Sequence, residues 1–125
     1  MVATASLVSY ESLITKMNAE ISSLQRRSPG PDAYQYALIA SQSGYYPSYS
    51  YGNGVVYLQV GEVWKYGETT HINTRYSDAW LKENNLTKLI QAVGTQRQMK
   101  IEEKRKIYGY FMKYHHLPPG NKIFR

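Results

Sequence analysis

Apolar residues recur along this chain with two different periods, and the switches between them mark out the elements. Leu7, Tyr10, Ile14, Met17, Ile21 and Leu24 follow steps of three and four, which makes one seam on a helix spanning residues 6–25 in coiled-coil register. Three heptads are too few for a free coiled coil, so the seam packs on its own domain or docks to another chain. Ser28-Pro29-Gly30-Pro31 then breaks the chain. That break divides residues 1–31, a helix and a Pro/Gly linker, from a functional domain over residues 32–125.

Residues 32–40 alternate at Tyr34, Tyr36, Leu38 and Ala40 as a strand does, although Asp32 could also cap a short helix. Residues 41–53 are turn-rich and carry Tyr45, Tyr46, Tyr49 and Tyr51. Such rings pack over a small sheet or stack on nucleobases. Two β-branched and aromatic runs, 55–60 and 63–66, flank Gly61-Glu62 and predict a hairpin. Alternation places Val56, Leu58 and Val60 on its apolar face and Tyr57, Gln59 and Lys65 on the face expected to carry chemistry. A helix over 75–82 is expected next, with Tyr76, Ala79 and Trp80 inward and Asn84-Asn85 ending it. A strand over 86–93 follows, then a long helix over 96–114 capped by Thr95. Leu117-Pro118-Pro119-Gly120-Asn121 cannot continue that helix and folds back. The pattern as a whole predicts an α+β fold: a small three-stranded central sheet flanked by helices, with an accessory N-terminal helix.

Composition changes this picture in four ways. A length of 125 residues suits one compact domain. No apolar run reaches the length of a membrane span, and the N-terminus lacks the basic region and apolar core of a signal peptide. With no cysteine there is no disulfide or thiol nucleophile. A net charge of +6 suits a polyanionic partner.

One residue on the last helix stands out. Met99, Ile107, Tyr110, Phe111 and Tyr114 share a face at helical spacing, and Glu103 falls in the middle of it. A carboxylate there costs several kcal/mol to desolvate unless it is paired with a cation. It therefore predicts either a buried ion pair with Lys or Arg or a ligand for a hard divalent metal. Arg75, placed after the hairpin, has the planar fork that clamps a phosphate bidentately. His71, in the loop before Arg75, is a candidate base or phosphate contact or a solvated loop residue. Lys100, Lys104, Lys106 and Lys122 are candidate contacts to a nucleic-acid backbone. His115 and His116 lack further ligands at zinc spacing, and neither a Walker loop nor a Gly-x-Ser-x-Gly elbow occurs.

The combination resembles the GIY-YIG nucleases. Val55-Val56-Tyr57 stands for the first strand of that fold, Lys65-Tyr66-Gly67 for the second, Arg75 for the arginine eight residues past the glycine, and Glu103 for the helical glutamate. Asn121 matches the asparagine that often closes the set, and Lys65 replaces the second tyrosine. Trp64-Lys65-Tyr66-Gly67-Glu68-Thr69-Thr70 and the tail resemble, over residues 33–123, toxin modules of bacterial polymorphic effectors. The resemblance implies a magnesium-dependent endonuclease that cuts DNA in a competing cell's cytoplasm after delivery by a bacterial secretion system. It also implies a cognate immunity protein. In that scheme Glu103 holds the metal and Tyr57 takes a proton from water, directly or through Lys65 or His71, while Arg75 neutralises the phosphorane. Two other readings stand beside it: a nucleic-acid-binding module of the same fold without catalysis, and an interaction domain held by its heptad seam.

Overall fold

The structure, a computed structural model, describes residues 2–122, with side chains from residue 10 onward. Leu7 of the apolar seam, and residue 123 at the end of the resemblance, lie outside the described side chains. The elements in order are α1 (Val2–Gln25), β1 (Asp32–Ala40), β2 (Gly44–Pro47), β3 (Val55–Leu58), β4 (Val63–Thr69), α2 (Asp78–Glu83), β5 (Leu86–Thr95) and α3 (Gln96–Tyr114). The fold is α+β, with a three-stranded antiparallel sheet ordered β4-β1-β5 and flanked by helices.

Of the two possibilities for residues 32–40, the strand is the one formed, and it is the central one. Its alternating side chains divide between two cores. Tyr36, Leu38 and Ala40 join Trp64, Ile72, Leu81 and Leu86 on one face. Gln35 is buried on the other, beneath α3.

The expected hairpin of residues 55–60 with 63–66 does not form. β3 pairs instead with β2, Tyr57 directly opposite Tyr45, in a separate two-stranded ribbon. β4 pairs with β1, so the main hairpin carries an insertion between its strands. Val56 and Leu58 are buried as alternation requires, whereas Val60 is 63% exposed. Gly61, at φ +90°, turns the chain from the ribbon into the main sheet. There its N–H donates to the Ala40 carbonyl at 2.8 Å, and the Ala40 N–H donates to the Glu62 carbonyl at 2.9 Å.

α3 starts at a complete capping box: Thr95 accepts from the Gln98 amide, and the Gln98 side chain returns to the Thr95 amide. α1 lies along α3. Ile21 and Leu24 bury against Ile101, Tyr108 donates to Glu20 at 2.8 Å, Lys104 pairs with Glu20 at 3.3 Å, and Tyr10 bonds the Met112 carbonyl. Each buried aliphatic side chain contributes about 1.5–3 kcal/mol, so this end of the seam is held by its own chain. Ile14 stays 43% exposed. No helix among the described residues is long and apolar enough to cross a membrane.

Beyond α3, His115 in the left-handed conformation ends the helix, and the tail returns to β4. Asn121 accepts from the Tyr66 N–H and donates to the Tyr66 carbonyl, both at 3.0 Å, as a strand residue would. Asn121 therefore covers part of the free edge of β4.

Candidate active site

β4 is an edge strand whose two faces present different chemistry. On the face away from α3, Gly67 lies directly opposite Tyr36 in the register. A Cβ at Gly67 would sit 2.3 Å from the Tyr36 ring and hydroxyl. Only glycine admits that ring. Gly67→Ala is accordingly expected to cost at least about 3 kcal/mol, at the upper end of overpacking, read as a lowered urea midpoint.

The Tyr36 hydroxyl so placed meets the Tyr76 hydroxyl at 3.0 Å. Arg75 lies on the Tyr76 ring with its guanidinium carbon 4.9 Å from the centroid, and the Lys65 ammonium is 6.0 Å from the same ring. Burial, then the bond to Tyr76, pushes the Tyr36 phenol far above its ordinary value, with Arg75 pulling the other way. At neutral pH Tyr36 is thus a proton donor and not a base.

Local sequence explains the placement of Arg75. The His71 carbonyl accepts from the Thr74 and Arg75 amides, closing a turn with buried Ile72 as its anchor. Ser77 then caps α2 by accepting from the Trp80 amide. The helix begins three residues later than expected, leaving Arg75 and Tyr76 in the turn before it. A groove of about 460 Å³ opens beside them, lined by Tyr49, Trp64, Lys65, Tyr76, Trp80 and Lys122. The Lys122 ammonium sits 5.0 Å from the Tyr49 ring centroid.

On the α3 face, Glu68 faces Lys100 at 3.4 Å through Oε1, while Oε2 is buried without a partner. Gln35, cross-strand to Glu68, also has a buried Oε1 without a partner. Glu103 joins this side from α3. Among the described residues it makes neither an ion pair nor a hydrogen bond, so the expected buried ion pair does not form. Burial pushes its carboxyl up to about 7, and the nearby Glu68 charge adds to the rise. Lys100, Lys104 and Lys65 offset part of it. Two acids near each other, one with a buried oxygen unfilled, are the kind of donor a hard cation takes.

The sequence-predicted site residues separate accordingly. Lys65 and Arg75 come together. Glu103 comes in from α3 on the Glu68 side of β4, and the Lys65 charge also reaches it. Tyr57 is 55% exposed on the satellite ribbon, its ring against Tyr45, because its strand pairs with β2 and not with β4. The imidazole of His71 is exposed and bonded to Thr70 at 2.9 Å, apart from the cluster. Lys104 is tied to α1 and Lys100 to Glu68, while Lys106 and Lys122 line grooves. Sequence reasoning missed Tyr36, Tyr76 and Glu68. The signal for Tyr36 was present in the alternation of residues 32–40. Comparison of the chain with protein-family models, characterised sequences and solved structures finds no match.

Proposed function

We propose that this chain is a metal-dependent endonuclease of GIY-YIG type that hydrolyses phosphodiester bonds in DNA, and that it is the toxin module of an antibacterial effector. The observation that carries this reading is the gathering of Arg75, Lys65 and the paired Tyr36 and Tyr76 hydroxyls beside an open basic groove. In this reading Tyr34-Gln35-Tyr36, on β1, takes the place first given to Val55-Val56-Tyr57. It is the strand paired with Lys65-Tyr66-Gly67, with the tyrosine ring packed on the glycine.

Arg75 neutralises charge that grows on the phosphoryl oxygens during attack. Tyr36 and Tyr76 donate hydrogen bonds to the same group, and Lys65 holds the adjoining phosphate. Glu103, with the unfilled oxygen of Glu68, would hold magnesium, which supplies charge neutralisation at the leaving oxygen when bound. The cognate immunity protein and delivery by a secretion system belong to the same proposal.

A second reading, a binding module without catalysis, is favoured by two observations. Arg75 and Glu103 lie on opposite faces of the sheet, and no group of three or more acidic or histidine ligands gathers among the described residues. One assay separates the two. With magnesium the nuclease converts supercoiled plasmid to nicked and linear forms, stops in EDTA, and keeps parental activity as Tyr57→Ala. A binding module shifts the plasmid in a gel under both conditions and leaves it intact.

A further inference from the structure

On the α3 side of β4 a second cavity, of about 610 Å³, opens between the end of α3, the β3–β4 turn and the tail, and none of the proposed cleavage residues lines it. Its walls are rings. Tyr51 stacks on His116 at 3.6 Å, and Tyr110 meets Tyr114 at 4.5 Å and Tyr66 at 6.3 Å. Burial pushes the Tyr51, Tyr66 and Tyr110 phenols up, so they stay neutral hydrogen-bond donors.

Arg105, Lys106 and Lys113 also line it from α3. Arg105 is engaged with Glu102 at 3.3 Å, and the Lys113 ammonium lies 5.2 Å from the Tyr114 ring centroid. Neither Lys106 nor Lys113 has an acidic partner among the described residues. Glu62 is the one acid in the lining, and its Oε1 accepts from the Gln59 amide at 3.0 Å.

Val63 is the single aliphatic residue in the lining, so the cavity is a poor seat for the apolar anchor of a peptide. Aromatic faces flanked by cations without acidic partners suit a base and its phosphates. A duplex cannot use such a cavity, because its bases are stacked inside the helix. The geometry points to a subsite for an unpaired nucleobase and its flanking phosphates, filled by single-stranded nucleic acid. The base stacks against Tyr110 and Tyr114, and the phosphates lie on Lys106 and Lys113. This inference rests on the nucleic-acid reading above and adds a preference for an unpaired strand.

The test is fluorescence anisotropy of the full chain in EDTA with a labelled oligo-dA 12-mer and with the same strand in duplex. Tyr114 is 46% exposed, so Tyr114→Ala leaves the core closed. That variant is expected to weaken single-strand binding roughly tenfold and duplex binding hardly at all. Lys106→Ser with Lys113→Ser is expected to lower the single-strand salt slope by about 1.4. Parental single-strand affinity in both variants, equal weakening on duplex, or a parent that binds no oligonucleotide would overturn the subsite. Plasmid cleavage read in parallel distinguishes the two claims. A parent that binds single strand through Tyr114 but cuts nothing refutes the nuclease and keeps the subsite.

Discussion

Arg75→Ala is expected to slow plasmid cleavage by about two to three orders of magnitude, the loss seen when one donor to a developing oxyanion is removed. The effect should fall on the rate and not on the fold. Arg75 is exposed, and its packing on the Tyr76 ring contributes only about 0.5–1 kcal/mol at such a site. Its backbone amide, bonded to the His71 carbonyl, is retained in the variant. Arg75→Lys should recover little activity, because an ammonium keeps the charge but lacks the planar fork. Unfolding free energies from urea titration within about 1 kcal/mol of the parent, measured beside the cleavage rates, check the separation.

Glu103→Gln is expected to slow metal-dependent cleavage by about as much as Arg75→Ala and to make the protein more stable at alkaline pH. The Glu103 carboxyl rises from an ordinary 4.5 to about 7. Between those values the folded chain binds a proton that the unfolded chain releases. Its contribution to stability is therefore most favourable below about pH 4.5, falls as pH rises to about 7, and is flat above. The full difference is roughly 3 kcal/mol. Glutamine removes this slope, so the variant should match the parent near pH 4.5 and exceed it at pH 8, measured by urea unfolding in EDTA. At the proposed metal site magnesium is expected to stabilise the parent alone, because a cation binds the ionised form. Parental activity should rise with pH as that carboxyl ionises, with a midpoint that moves down as magnesium is raised.

The elements with strong local signals were legible from sequence. α3 runs over the residues that its apolar stripe and Thr95 mark, and the Pro/Gly break and Asn84-Asn85 fall where expected. What failed was the partner of a strand. Residues 55–58 and 32–40 both alternate, and local pattern cannot say which of them pairs with 63–69. Proximity favoured the nearer one, but the polar tyrosine-rich stretch between β1 and β4 folds as its own ribbon.

The site shares this division. Lys65, Arg75 and Glu103 were marked by residue type and spacing. Alternation marks Tyr36 as an inward strand residue, but its seat on Gly67 and its bond to Tyr76 needed the true pairing. Glu103 was legible as an acid without a home in its stripe. That it shares its surroundings with Glu68 is a matter of tertiary placement.

If two faces of one edge strand serve one reaction, a double-mutant cycle on the plasmid-cleavage rate shows it most directly. With magnesium at pH 8, Arg75→Ala, Glu103→Gln and the double variant are compared with the parent. If the two residues act in one reaction, each single substitution loses nearly as much rate as the double. Losses that simply multiply, or a single variant that cuts as fast as the parent, would show that the arginine and the glutamate do not work together.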